Sequence, residues 1–533
     1  MKHFKILCVV HFCGLFCFAP NAWGQAIEAD WVLKGGTVYD GSDAEGKLAD
    51  VAIKGGKIVA VGKLEVKPGA QTVDCQGLVV CPGFIDLHNH SDRPILDVET
   101  RANVNFLTQG CTTVVTGNCG FGPVDVGEYF KKLDQQGCGT NVIHLLPQGS
   151  LRQQVVGSAD EPATEVHLQK MKQLAEQAMQ DGAYGMSTGL IYVPGTYSTT
   201  EEIAEIAKVV AQYGGIYASH IRNENTKLLE AINEALEIGK LSGAAVHVSH
   251  FKASGVEAWG SLKAAVSLIE KARSSGQRVT ADQYPYVASS TSLEAMLIPT
   301  WARSGGQKAL LARMADEKDG PKIRTYIERA LAVRGEKAPI RIAKYNPRPD
   351  WVGKSISEIA TAEKREPVEI VWEIQQQGGA SGVSFGMQEE EVRYAMQLPW
   401  VATASDGSAK LPGADRPHPR NYGTFPRKIG LYSIEEKVLP LAAAIRSASG
   451  LPADILHLSD RGYLRPQQAA DVVVFSPEEL RDEATFDDPH RYSSGVRHVF
   501  VNGRPAIMSG TPTGALAGKA LRKPATKKAE SGD

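Results

Sequence analysis

Apolar and polar residues change their rhythm along this chain, and each rhythm predicts a different element. From Asp30 to about Val80, runs such as DWVLKGGTVYDG, ADVAIKGGKIVAVG and AQTVDCQGLVV alternate apolar and polar side chains between glycine turns. That period of two predicts antiparallel strands. The same texture returns near the C-terminus in DVVVFSP and VRHVFVNGRPAIMSG. Between them the rhythm lengthens. EVHLQKMKQLAEQAMQDG sets Val166, Leu168, Met171, Leu174, Ala175 and Met179 at close to helical spacing and stops at Gly182. TTEEIAEIAKVVAQYGG opens on threonines able to cap a helix and closes on two glycines. TKLLEAINEALEIGKLSG and SLKAAVSLIEKARSSG follow suit, and short apolar runs (IYASH, AVHVSH, RVTADQY) come after these helices.

Strand and helix in alternation predict a parallel α/β domain. No glycine-rich phosphate loop follows its first strand, which favours a (β/α)8 barrel over an open sheet. WVGKS at 351–355 lacks the upstream glycine of a nucleotide loop. The expected layout is a signal peptide at 1–24, β segments at 25–84 and 455–512, and a barrel over 85–454. A mainly helical insertion at about 300–388 is placed to cover an active site, and a basic, disordered tail runs over 513–533.

Composition narrows the function. The chain has 533 residues, 43% apolar and 22% charged, with a net charge of −2. That is ordinary globular composition, and without a basic stripe it argues against a nucleic-acid partner. MKHFK, the apolar stretch ILCVVHFCGLFCFAP and the small residues of NAWGQA have the layout of a secretory signal cut after Gly24. The mature protein is therefore expected in the periplasm or outside the cell, with no lasting membrane insertion. Five cysteines remain after such a cut, and Cys75, Cys81, Cys111 and Cys138 could form two disulfides or none.

The candidate chemistry lies where the predicted strands end. GFIDLHNH ends in His88 and His90, TTVVTGNCG in Cys119, GIYASH in His220, AVHVSH in His250 and WVATASD in Asp406. Strand ends of a β/α barrel converge on one mouth, so these side chains would gather there as metal ligands. Each alone has a plainer reading: a hydrogen-bonded core histidine, a buried thiol, a turn aspartate. Repetition at one structural position decides for the metal. Imidazole and thiolate favour zinc, which would supply an activated water, and Asp406 is placed as general base and acid. The implied reaction is hydrolysis of an unactivated bond such as an amide. His144, His247 and His418 are weaker candidates.

The motifs PGFIDLHNHSD, TVVTGNCG, STGLIYVPGTYSTTEE, YASHIRNE, HVSHFKASG, DQYPYVASST, ASDGS and HPRNYGTFPRKIG resemble those of the amidohydrolase superfamily, and within it the N-acyl-D-amino-acid deacylases. The resemblance covers nearly the whole mature chain. It implies a distorted (β/α)8 barrel carrying a small β-sandwich built from both chain ends. It also implies one tightly held zinc on Cys119, His220 and His250, and a second, weaker site using His88, His90 and Asp406 with the cysteine. Lys252, Tyr192, Tyr284 and Arg222 would meet the α-carboxylate of a small N-acyl amino acid, although Arg222 could instead pair with Glu224 or another carboxylate. Preference for the D configuration rests on the resemblance alone. A cyclic-amide hydrolase on the same fold and an exported binding protein with an inactive site are the alternatives. Nothing in the sequence bears on oligomeric state.

Overall fold

The structure is a computed structural model that describes residues 26–526; the expected signal peptide lies outside them. Eight parallel strand positions form the barrel. They are Phe84–Asp86, Cys111–Thr116, Asn141–His144 continued by Leu146–Pro147, Gly185–Gly189, Ile216–His220, Ala245–Val248, Val279–Gln283 and Val401–Thr403. The third strand hands over at Leu145, pairing first with Cys111–Thr116 and then with Gly185–Gly189. The ring is joined at the strand ends, where Asn89 bridges Gly407 and Asp406 N–H donates to His88 C=O at 2.8 Å. The first and eighth strands thus meet at the mouth, where the candidate ligands sit.

The helices follow the sequence pattern with one local difference. Glu165–Gln180 is capped by Thr164, whose hydroxyl accepts from His167 N–H. Met171, Ala175, Ala178 and Met179 face the core, whereas Val166, in the first turn, is 77% exposed. Thr199 caps Thr200–Gln212 in the same way. Gly-Lys-Ser at 353–355 closes a turn, and Ser355 caps the helix Ile356–Glu363.

The insertion differs more. It begins at Ala288 and is organised on an antiparallel sheet of Ala288–Ser292, Ser381–Phe385 and Ile340–Lys344. Helices including Asp319–Arg334 and Pro367–Gln376 pack on it around a core of their own with Leu297, Ile323, Ile327, Trp351 and Ile370. The strand ASSTS is too polar to show an alternating pattern, so this sheet leaves no trace in the sequence.

Both chain ends build one continuous nine-stranded sheet. Trp31–Val38 pairs in parallel first with Gln71–Asp74 and then with Val79–Pro82, and its antiparallel pairing with Lys47–Lys54 shifts register between Leu33 and Gly36. Val79–Pro82 pairs antiparallel with Val472–Phe475, joining the N-terminal strands to the C-terminal ones. The tail corrects the expectation of disorder from residue 513. Val142 N–H donates to Lys519 C=O at 2.9 Å, Leu521 N–H to Val142 C=O at 2.8 Å and Lys523 N–H to Gly182 C=O at 2.9 Å. These are backbone bonds, so they leave no trace in the side-chain pattern. Residues 527–533 lie outside the described ones. The five described cysteines are all buried and free, so no disulfide links them.

Lys428 stands out within the π-helical segment Arg427–Glu435. It is 1% exposed and its Nζ has no hydrogen-bond partner among the described residues. Burial pushes its pKa down from 10.5 to about 7. The unfolded chain then binds more protons than the folded one between those values, so this group makes stability rise with pH across that window. Lys428→Met is expected to raise the urea midpoint at pH 7 relative to the parent protein. The gap should close by about pH 10, near the ordinary lysine pKa. An equal midpoint at pH 7 would show that the ammonium is solvated.

Candidate metal centre

The strand ends bring all six expected ligand residues together. Cys119 Sγ lies 3.2 Å from His88 Nε2, 3.8 Å from His220 Nδ1 and 3.7 Å from His250 Nε2. His90 Nε2 is 3.0 Å from Asp406 Oδ1, and His88 Nε2 is 3.5 Å from the same oxygen. Three groupings have donor atoms mutually within 4.8 Å: Cys119–His220–His250, His88–His90–Cys119 and His88–His250–Asp406. Three of these residues, Cys119, His250 and Asp406, take positive φ values of 51°, 35° and 51°. Side-chain-bearing residues rarely adopt that region, and where they do the surrounding structure is holding them there. Here it turns each side chain off its strand end into the mouth.

Electrostatics favour a cation at this point. Burial alone would push the Cys119 thiol up, but the charge of His88 and hydrogen bonds from His220, His250 and His88 hold it well below its ordinary value. Burial likewise opposes ionisation of Asp406, and Arg420 and His88 outweigh it. Against its own burial, His88 is pushed well above the usual histidine range by Cys119, Asp282 and Asp406. His220 is lowered, mainly by burial, and so is held neutral. A thiolate, neutral imidazole and a carboxylate around one point form the donor set that zinc prefers. The residues present fit zinc.

The candidate ligands are themselves held from behind. Asp282 Oδ2 accepts from His247 Nε2 at 2.7 Å and lies 3.5 Å from His88 Nδ1, while its Oδ1 accepts from His250 N–H at 2.7 Å. Glu224 Oε1 is 2.9 Å from His250 Nδ1 and 2.6 Å from Lys252 Nζ. Such carboxylates fix the tautomer and aim of metal-binding rings. Arg420 Nη1 is 2.9 Å from Asp406 Oδ2, and its guanidinium lies 4.7 Å from the Tyr284 ring centroid.

A cavity of about 850 Å³ opens over the centre. Lys252, Tyr192, Tyr284 and Arg222 all line it, but their polar atoms differ in availability. The Tyr284 hydroxyl is buried without a partner among the described residues. Tyr192 Oη is 3.0 Å from Thr291 Oγ1. Lys252 is engaged by Glu224 and by His250 C=O at 3.0 Å. The Arg222 guanidinium is spent on Glu234 at 2.8 Å, Thr196 C=O and Ser198 C=O, so its charge is directed away from the centre. The weaker histidine candidates bond elsewhere: His144 to Thr116 and Pro123, His418 to Ala288. Arg420 and Asp282 were missed as individuals, and Glu224, named as a possible partner of Arg222, instead holds His250 and Lys252. Each lies inside a motif noted in the sequence, but only the fold shows which atoms they hold.

The amidohydrolase family profile matches residues 71–507. The chain belongs to the amidohydrolase family. Among its relatives is a D-aminoacylase of Alcaligenes xylosoxydans xylosoxydans, 34% identical over 519 residues, covering 93% of this chain and 98% of that one. An N-acyl-D-glutamate deacylase from the same organism is 34% identical over 522 residues, covering 93% and 97%. Among solved structures, an N-acyl-D-glutamate deacylase of Bordetella bronchiseptica superposes with a TM-score of 0.80 at 31% identity, covering 93% of this amidohydrolase and 100% of that chain. That structure is complexed with zinc and a phosphonate inhibitor that mimics the tetrahedral intermediate of its reaction.

Proposed function

We propose that this amidohydrolase hydrolyses N-acyl-D-amino acids, giving a carboxylate and a free D-amino acid. The observation that carries the reading is a Cys119–His220–His250 ligand set beside Asp406, in a cavity that also presents Arg420, Lys252 and an unpartnered Tyr284 hydroxyl. One zinc on Cys119, His220 and His250 is the working complement, with His88, His90 and Asp406 able to take a second. When bound, zinc supplies Lewis acidity toward the amide carbonyl and lowers the pKa of water.

The chain's own residues do the rest. Asp406, held ionised by Arg420, accepts the proton of the attacking water and returns it to the amide nitrogen as the C–N bond breaks. Lys252 and Arg420 supply positive charge for the substrate α-carboxylate, and Tyr284 donates its free hydroxyl. Glu224 keeps Lys252 protonated: burial would lower the lysine, and the nearby carboxylate more than offsets it. Export directed by residues 1–24 belongs to the same reading and is checked by N-terminal sequencing of the mature protein.

Release of free amine from paired N-acetyl-D- and N-acetyl-L-amino acids, with and without zinc, tests the proposal. Metal-dependent release from the D series alone is expected; silence on both series with zinc bound would overturn it. Lys252→Met, which removes a charged donor, is expected to lower kcat/KM by about 10- to 100-fold with zinc retained. An unchanged kcat/KM would remove Lys252 from carboxylate binding.

A further inference from the structure

The cavity is larger than an N-acetyl amino acid requires. At about 850 Å³ it lies near the upper end of the roughly 300–1,000 Å³ that enclose drug-sized ligands. Its inner end is the metal centre, and its outer end is built by the insertion. The helix Asp319–Arg334 contributes Arg329, Ala330, Val333 and Arg334, whose spacing places them on one face. The row from Ser289 to Ser292 adds hydroxyl groups to the lining.

Among the described residues neither arginine has an anion of its own. Arg334 Nη1 donates to Ala330 C=O at 3.0 Å, one turn back on its own helix. Burial lowers its pKa, and no carboxylate contributes to holding its charge. Arg329 is exposed on the cavity side of the helix, and among the described residues no ion pair reaches it. The acids of the lining do not change this. Glu224 is bound to Lys252 and Asp406 to Arg420, while Glu257 forms no ion pair with either arginine. Two guanidinium groups therefore face the far end of the cavity without carboxylate partners.

We propose that Arg329 and Arg334 form an anion subsite that selects substrates carrying a second carboxylate, remote from the scissile amide. This rests on the deacylase reading and deepens it. The second carboxylate could belong to the amino-acid side chain or to the acyl group, and the test separates them. kcat/KM is measured on two isosteric pairs, N-acetyl-D-glutamate against N-acetyl-D-glutamine and N-succinyl-D-leucine against N-succinamoyl-D-leucine.

The charged member of one pair is expected to be preferred by about tenfold or more, the usual worth of a charge-assisted hydrogen bond. The pair that shows the preference identifies the group bound. In Arg329→Gln/Arg334→Gln the charged-to-neutral ratio is expected to fall toward one. The exposed Arg329→Gln alone gives a smaller fall and guards against misfolding of the double variant. Added salt should shrink the preference of the parent enzyme, as screening of partly exposed charges requires. Turnover of the neutral members with no preference in either pair would overturn the subsite and leave the deacylase standing. So would a preference that survives the double substitution. Failure to hydrolyse any of the four compounds would overturn the deacylase reading itself.

Discussion

Cys119→Ala is expected to lose zinc and to lower kcat/KM by about 10³-fold or more. The size follows from what the metal contributes, several kcal/mol of transition-state stabilisation, at tenfold in rate per roughly 1.4 kcal/mol. The cysteine is the residue to remove because it is the sole thiolate of the donor groupings and belongs to two of the three. Without its thiolate, the group keeps only the ring nitrogens of His220 and His250 and loses the anion that draws the cation. The remaining group, His88, His250 and Asp406, offers two imidazoles and a carboxylate, a harder set that lacks the thiolate. Zinc content by mass spectrometry, measured beside the rate, checks both halves of the prediction. A variant that keeps one equivalent of zinc and parental kcat/KM would place the working metal elsewhere.

Asp406→Asn separates proton transfer from metal binding. The Cys119–His220–His250 group does not include Asp406, so tightly held zinc should remain. Loss of a positioned acid–base group costs about 10²–10⁴-fold in rate, and that fall is expected in kcat with zinc at parental level. The substitution also strips Arg420 of its ion-pair partner in a site where that arginine is 5% exposed. Breaking a buried pair from one side costs about 3–5 kcal/mol of stability. A denaturation curve therefore belongs with the kinetics, so that a misfolded fraction is not read as a catalytic loss. Undiminished kcat in a folded, zinc-loaded variant would assign the proton transfer to another group.

The sequence disclosed the candidate ligands and concealed what holds them. His88, His90, Cys119, His220, His250 and Asp406 were readable because a barrel fixes one address, the strand end, and all six occupy it. Asp282 occupies that address too, in DQYPY, but binds histidines rather than the centre, and no spacing rule separates the two roles. Arg420 reaches Asp406 from a helix that follows a long loop, a juxtaposition only the closed fold creates. Arg222 shows the converse: two residues past a ligand, it was readable as a substrate contact, yet Glu234 on the following helix takes its charge. The sheet of the insertion and the tail along Asn141–His144 rest on backbone bonds between polar or irregular segments, where periodicity is silent.

The sheet shared by the two chain ends has a bearing on biosynthesis. Val79–Pro82 emerges from the ribosome early, while its neighbour Val472–Phe475 is made only after the whole barrel. At about 5–20 residues per second, the intervening stretch takes roughly 20–80 s to translate. Throughout that interval a buried-type strand presents an open edge, the feature most prone to pairing with another chain. The nascent protein thus needs shielding until its last segment arrives, and nonsense codons after the barrel should yield aggregates rather than a working fragment.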